Sequence, residues 1–179
     1  FIHPKISNGY IAAMNLVLKK IYTLYFFLVL STTCYFLNDQ SNQLDSLLKV
    51  EKFITNDTNK IITLNMIASI YLDNNYPKAL NYASKAYKLA EKINFEPGRI
   101  DALMHQCYAN DFMGRYAIAQ QQNFQLLSIF EKREDSVNIN NCYNNIGIIH
   151  YYLQNYDESI QFTQKARSYY LKHDKKIDI

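Results

Sequence analysis

The sequence predicts an all-α fold made of repeated helical hairpins, and a recurring tyrosine is the first sign of it. Tyr76, Tyr116 and Tyr156 lie forty residues apart. The positions three and ten residues after each tyrosine recur as small or aliphatic side chains: Ala79, Ala119 and Ser159, then Ala86, Leu126 and Ala166. A fixed period of this size is typical of stacked helical units, each of which buries its apolar face only against its neighbours. Such an array favours recognition by a surface over catalysis in a cleft.

The net charge of the chain comes from its N-terminal region. The 179 residues carry 19 basic and 16 acidic side chains. Lys5, Lys19 and Lys20 are the only charged residues before residue 38, so the remainder holds 19 − 3 = 16 basic residues against 16 acidic ones. Binding to nucleic acid draws its affinity from clustered Lys and Arg. We therefore expect no nucleic-acid partner for this segment.

The N-terminal region has the order of residues found in secretory signals. Lys19 and Lys20 precede an apolar run, 21–30, which is followed by Ser31-Thr32-Thr33-Cys34. We expect residues 1–13 to be an upstream remnant and residues 14–37 to be a signal peptide or a membrane anchor. If the run extends to residue 37 it has 17 residues, near the ~20 that span a bilayer. A lipoprotein with Cys34 lipidated is a further alternative, although Ser31 stands where Leu or Val is usual.

The elements that follow are predicted in order along the chain. Residues 38–58 form a polar lead with one helix that caps the array, indicated by Leu44, Leu47 and Leu48. Residues 59–179 hold three helical hairpins, at 60–93, 97–132 and 137–173.

Short-range signals place the ends of several predicted helices. Asn75 followed by Pro77 starts the second helix of the first hairpin, because proline is harmless in a first turn. Gly114 supplies the tight turn of the second hairpin, and Asn155 with Glu158 forms a capping box in the third. The pair Pro97-Gly98 is expected to break the chain between the first two hairpins.

Small side chains predict where helices cross. Ala68, Cys107 and Gly147 occur at related positions, where a larger residue would hold the two helices of a hairpin apart. The recurring tyrosines are expected to fill the base of each hairpin.

The same positions resemble the tetratricopeptide repeat. That family shows a bulky residue, a hydrophobic and small pair, an aromatic, and then small residues in the second helix. The three copies are listed here in order: Leu64, Ile67-Ala68, Tyr71, Ala79 and Ala83; Leu103, Gln106-Cys107, Asn110, Ala119 and Asn123; Tyr143, Ile146-Gly147, His150, Ser159 and Thr163. Gln106 and Asn110 depart from the usual apolar identities. The resemblance implies a right-handed solenoid of three helix-turn-helix repeats with an N-terminal capping helix.

A leader followed by extended repeats also resembles the N-terminal sensor region of bacterial envelope-anchored tetratricopeptide regulators. The resemblance implies a non-catalytic protein- or peptide-binding module on the periplasmic side, exported or membrane-anchored, that senses a signal for a separate output domain. A stand-alone envelope scaffold or adaptor is the alternative, and a cytoplasmic regulator is a third possibility that the apolar leader disfavours.

Motifs for catalysis and cofactor binding are missing. The four glycines, at positions 9, 98, 114 and 147, do not form a phosphate-binding or dinucleotide-binding loop. His105 near Cys107 and His150 near Cys142 lack the spacing of zinc ligands, so packed residues are expected there. Cys107 and Cys142 would form a disulfide only if their side chains converged, and free buried thiols are expected. The sequence therefore predicts no catalytic residues, metal or cofactor.

The family's ligand groove lies along the first helix of each repeat. Transfer of that groove to this register, as the resemblance implies, nominates nine residues: Asn65, Ser69, Leu72, Met104, Tyr108, Asp111, Asn144, Ile148 and Tyr151. For each the alternative is plain solvent exposure or contact with another repeat.

Overall fold

A computed structural model describes residues 40–174 of the chain, and their side chains up to residue 171. The chain divides into two compact units, Phe1–Ser46 and Leu47–Ile179. Residues 40–51 are helical and are called α1. The predicted upstream remnant at 1–13, the signal or anchor at 14–37 and Cys34 lie outside the described residues. Among the helices that are described, none combines the length and apolar character needed to cross a bilayer.

The second unit is built from helices that pack against one another in antiparallel succession, and its described residues contain no strand. The helices are α2 (Asp57–Tyr71), α3 (Tyr76–Lys92), α4 (Glu96–Phe112), α5 (Tyr116–Lys132), α6 (Ser136–Tyr152) and α7 (Tyr156–Asp174). Each helix contacts the next, and α2 also contacts α4 directly. The all-α prediction is confirmed, and the arrangement is consistent with a helical repeat solenoid.

Four of the connections share one backbone geometry that recurs every twenty residues. Asn94, Gly114, Glu134 and Gln154 have φ values of 54°, 71°, 54° and 62°. The next residue donates its N–H to the carbonyl five residues back, as in Arg115 to Asn110 at 2.8 Å, which closes a Schellman cap. Each such linker has three residues between the helices, so successive helices begin at Tyr76, Glu96, Tyr116, Ser136 and Tyr156. The forty-residue period of the sequence therefore corresponds to two twenty-residue units, each made of one helix and one linker.

The predicted helix starts are correct in part. Asn75 is the N-cap of α3, where its side chain accepts a bond from Lys78 N at 3.1 Å, and Pro77 lies in the first turn. Gly114 occupies the left-handed turn before α5. Pro97 and Gly98 do not break the chain: both lie in the first turn of α4, since proline fits where N–H groups have no helical partner. The first two hairpins are instead separated by the linker that contains the helix cap at Asn94.

Two glycines mark close helix approaches. A Cβ on Gly98 would lie 2.5 Å from Ile61 Cγ2, so α4 crosses α2 at a point where only glycine fits. A Cβ on Gly147 would lie 3.3 Å from both Ser159 O and Thr163 N, which places α6 directly against the backbone of α7. The predicted crossing at Gly147 is confirmed.

Two of the recurring tyrosines link neighbouring hairpins, whereas Tyr156 packs edge-on against Tyr151 of its own hairpin, with ring centroids 5.8 Å apart. Tyr76, at the start of α3, stacks on Phe112 at the end of α4, with ring centroids 4.9 Å apart. Tyr116 stacks in the same way on Tyr152, at 5.3 Å. α4 and α6 thus each end in an aromatic ring that covers the preceding recurring tyrosine.

Candidate binding groove

A narrow crevice opens between α4 and α6, with α5 as its floor. Its lining residues come from three helices: Met104, Cys107, Tyr108, Asn123, Leu126, Phe130, Asn138, Asn141, Cys142 and Asn145. We call it the α4–α6 crevice. Met104 and Tyr108 are two of the nine groove residues nominated from the sequence. In its present form the crevice has room for about one water molecule.

The crevice exists because α5 has larger buried side chains than α3. The face of α3 that meets α4 carries Ala83, Ala86 and Ala90, all fully buried. The corresponding positions of α5 are Asn123, Leu126 and Phe130, which line the crevice. Since helix separation follows the size of the side chains at the contact, α5 holds its two neighbours further apart. In agreement, α2 packs on α4, whereas α4 and α6 scarcely touch.

The α6 side of the crevice is lined by amide side chains, with the Asp135 carboxylate at its N-terminal end. Asn138, Asn141 and Asn145 lie on one face of α6, and each amide can both donate and accept a hydrogen bond. Asn138 also donates its Nδ2 to Asp135 Oδ2 at 2.8 Å, which fixes one side chain of the row. From Ser136 to Tyr152, α6 contains no Asp, Glu, Lys or Arg. An apolar floor under a row of amides therefore favours a neutral ligand.

The other nominated residues are not all brought together. Met104, Tyr108 and Asp111 are partly buried along α4. Asn144, Ile148 and Tyr151 lie on an exposed stripe of α6 beside the crevice and do not line it. Ser69, on α2, is exposed, and Leu72, the C-cap of α2, is half-buried.

Asn65 has a structural contact that the groove assignment did not anticipate. It is 6% exposed, and its Nδ2 donates to Gly98 O at 2.9 Å. The bond holds the first turn of α4 against α2, at the crossing that Gly98 permits. Its distance of 33 residues along the chain explains why local sequence reasoning missed it.

The polar identities of Gln106 and Asn110 are explained by a chain of amides between α3, α4 and α5. Asn110 Nδ2 donates to Gln122 Oε1 at 3.0 Å, and Gln122 Nε2 donates to Gln106 Oε1 at 3.2 Å. Gln106 Nε2 then reaches Ala83 O at 3.5 Å. Gln122 therefore provides the hydrogen-bond partner of both Gln106 and Asn110, the two residues that depart from the repeat pattern. Nothing in the sequence at Gln122 indicates this role.

The two cysteines of the crevice are free thiols, as expected, and both are buried. Burial raises the pKa of Cys107 to about 12, with smaller contributions from Asp111 and from Cys142. Burial also raises the pKa of Cys142 to about 12. Asn123 Nδ2 donates to Cys107 Sγ at 3.0 Å. These thiols are protonated near neutral pH and act as small packing groups.

His150 has a packing role as well. His150 is 9% exposed and stacks on Phe162, with ring centroids 5.4 Å apart, while its Nε2 lies 2.8 Å from Gln120 Nε2. Burial lowers the pKa of His105, which favours its neutral form. Among the residues that the structure describes, no group of His, Cys, Asp and Glu is arranged to hold a metal ion.

Asp111 is one of three acidic side chains close to the crevice: it acts on the Cys107 thiol, while Asp135 and Glu131 act on the Cys142 thiol. Asp111 lies in the last turn of α4, beyond Tyr108, and its Oδ1 is buried without a hydrogen-bond partner. Desolvation raises the pKa of this carboxyl. The carboxylate also lies at the negative end of the helix dipole. Both effects disfavour its charge.

Comparison with known proteins adds no identification. No protein-family model matches the chain, and no curated protein matches it significantly.

Proposed function

We propose that this chain is a non-catalytic helical repeat module that binds a neutral segment of a protein or peptide in the α4–α6 crevice. The observation that supports the proposal is the crevice itself, with an apolar floor at Leu126 and Phe130 and an amide row at Asn138, Asn141 and Asn145. Apolar groups fill such a floor, and a peptide backbone offers the donors and acceptors that amides match.

Binding requires the crevice to widen, and Met104 is the residue that permits it. Its unbranched side chain has three rotatable bonds and adapts to irregular space. Rotation of Met104 away from Tyr108 would admit an aliphatic side chain of the ligand. Tyr108 then supplies a rigid aromatic wall of the kind that carries binding energy at interfaces.

A selection from a display library of random peptides tests this proposal. We expect peptides enriched on the wild-type chain to lose at least tenfold in affinity for Asn141→Asp, which places a charge on the exposed rim. Ser128→Asp is the matched control, because Ser128 is exposed on α5 and lies outside the crevice. Equal affinity of the enriched peptides for both variants would refute binding at the crevice.

We further propose that the array is of the tetratricopeptide type and acts outside the cytoplasm, as the sensing segment of a bacterial envelope signalling protein. The support is the matched repeat positions together with the basic and apolar leader of residues 14–37. A stand-alone envelope scaffold is the alternative, since the same surface would serve it.

A fusion of residues 14–60 to a reporter that is active only outside the cytoplasm tests the location. An active reporter supports both envelope functions. A silent reporter with a soluble fusion protein would contradict them and favour a cytoplasmic regulator.

A further inference from the structure

The outer face of α3 carries a row of lysines. Their intervals of seven, three and four residues keep them on one side of the helix, and we call them the α3 lysine stripe: Lys78, Lys85, Lys88 and Lys92. All four are exposed, whereas the opposite side of α3 is buried as alanine. The first and last lysines are 92 − 78 = 14 residues apart, which at ~1.5 Å per residue gives a stripe of ~21 Å.

The exposure of this face is a property of the fold. The corresponding positions of α5 lie forty residues later, and all of them are exposed as well, although α5 contacts a helix on either side. They are Ile118, Gln125, Ser128 and Lys132. Since only one of these four residues is charged, the repeat does not require lysine on its outer face. The lysine stripe is therefore a feature of α3 itself.

The stripe concentrates positive charge in a region that is otherwise slightly acidic. α3 holds four lysines and one acidic residue, Glu91. Residues 38–179 hold 16 basic and 16 acidic side chains, so those outside α3 hold 16 − 4 = 12 basic and 16 − 1 = 15 acidic ones. Lys88 is three residues from Lys85 and four from Lys92, and like charges at these spacings destabilise a helix. The stability of the helix does not account for this arrangement.

Two tyrosines hold part of the stripe in place. The Nζ of Lys78 lies 5.1 Å from the centroid of the Tyr71 ring, and the Nζ of Lys85 lies 4.9 Å from that of Tyr82. The two rings stack on each other, with centroids 5.7 Å apart. Because a cation is attracted to the face of an aromatic ring, both ammonium groups are positioned before a ligand arrives. Such positioning reduces the entropy that binding costs.

Glu51 is an acidic residue close to the tyrosine pair. Burial, Tyr71 and then Glu51 raise the pKa of the Tyr82 hydroxyl. The Oε1 of Glu51 lies 3.7 Å from the Nζ of Lys60 and forms an ion pair with it. The charge of Glu51 is therefore matched by a lysine outside the stripe.

We propose that the α3 lysine stripe docks an acidic helical segment of a partner protein, with Asp or Glu side chains at intervals of three and four residues. Carboxylates at that spacing lie on one face of a helix and match the stripe in charge and in length. A nucleic acid or an anionic bilayer extends beyond a single helix and would meet the surrounding surface, where acidic residues outnumber basic ones. The site is separate from the α4–α6 crevice, which no residue of α3 lines.

Fluorescence anisotropy of a labelled peptide measures this docking on the full chain. The peptide is alanine-rich and helical and carries four Glu at the spacing of the stripe, while its control carries Gln at the same positions. We expect the Gln peptide to bind at least tenfold more weakly than the Glu peptide. Binding of the Glu peptide should weaken at least tenfold between about 0.05 M and about 0.5 M salt, because exposed charges are screened.

Paired substitutions locate the site. Lys85→Glu with Lys88→Glu is expected to weaken binding of the Glu peptide at least tenfold. Lys49→Glu with Arg115→Glu is the matched control, because both residues are exposed, lie outside α3 and change the net charge by the same amount. Lys85→Gln with Lys88→Gln should also weaken binding, and it serves as the test if the reversed pair does not fold.

A peptide with Lys in place of Glu gives the reciprocal test. It should bind the Lys85→Glu, Lys88→Glu variant more tightly than the wild-type chain. An equal loss in the two reversed pairs would show a response to net charge alone and would overturn the proposal, as would equal binding of the Glu and Gln peptides. Tighter binding of single-stranded DNA or of phosphatidylglycerol vesicles, lost in the Lys85 and Lys88 variants, would assign the stripe to another polyanion and also overturn it.

Discussion

At the scale of single residues, the backbone conformation of the linkers has a measurable cost. Gly114 has a positive φ, and a Cβ at this position would meet nothing within 4 Å. We expect Gly114→Ala to lower stability by about 1–2 kcal/mol, since the left-handed region is costly for residues with a side chain. Because no clash contributes, the loss measures conformation alone. Thermal unfolding checks it, and an unchanged midpoint would contradict the left-handed geometry.

Glu134 occupies the equivalent position in the linker between α5 and α6, and it also has a positive φ, of 54°. Here the opposite substitution, to glycine, can be tested. Glu134→Gly removes the cost of the left-handed conformation. It also raises the conformational entropy of the unfolded chain, which offsets about 0.5–1 kcal/mol of the gain in stability. A small rise in the unfolding midpoint is expected. A clear fall would show that the Glu134 side chain has a stabilising role.

Asp111 gives a pH-dependent prediction. Its pKa is raised in the folded chain, so the folded state binds the proton more tightly than the unfolded state does. The contribution of this group to stability is fully present below the ordinary pKa of 3.8 and is lost as the pH rises through the folded value. We expect Asp111→Asn to raise the unfolding midpoint near pH 7, and the gain to disappear in acid. A gain of equal size at both pH values would exclude deprotonation as its cause.

Gly147 tests the helix crossing. Leucine at this position would overpack the contact with α7 and cost about 1–3 kcal/mol. That loss exceeds the gain of at most about 1 kcal/mol from the better helix propensity of leucine. Denaturant titration should therefore show a less stable protein. A more stable variant would mean that the crossing tolerates a long side chain.

At the scale of the helices, the amide chain is expected to act as a unit. Gln122→Leu leaves the Asn110 and Gln106 amides without their partner, and an unmet buried hydrogen bond costs about 1–3 kcal/mol. Replacement of all three residues by Leu should cost less than the sum of the three single changes. A double-mutant cycle on Gln122 and Asn110 measures the coupling, and strict additivity would count against a connected network.

The sequence predicted helices well where the signal was local. The Asn75 cap, the Gly114 turn and the Gly147 crossing each depend on a few neighbouring residues or on the repeat register. Pro97 and Gly98 were misread because the same residues suit a first helical turn and a break between helices. The contacts of Asn65 with Gly98 and of Gln122 with Asn110 join different helices, so no local pattern indicates them. Two of the nine nominated groove residues line the crevice. The others do not, because the position of the crevice is set by the large buried side chains of α5, which the groove assignment did not consider.

At the scale of the whole chain, the excess positive charge lies in the N-terminal region of the sequence, before residue 38, and not among the residues that line the α4–α6 crevice. α6 and the crevice carry amides and apolar groups. Association steered by surface charge is screened strongly by salt, whereas contact between neutral groups is not. Recognition at the crevice should therefore be nearly independent of ionic strength.

The most direct test of the central claim is the affinity of a selected peptide for the wild-type chain at two ionic strengths. Between about 0.05 M and about 0.5 M salt the Debye length falls several-fold. If the α4–α6 crevice binds a neutral segment, the dissociation constant should change by less than about twofold, and Asn141→Asp should weaken binding at both concentrations. A loss of tenfold or more in salt, with no effect of Asn141→Asp, would contradict the account and assign binding to a charged surface elsewhere on the chain.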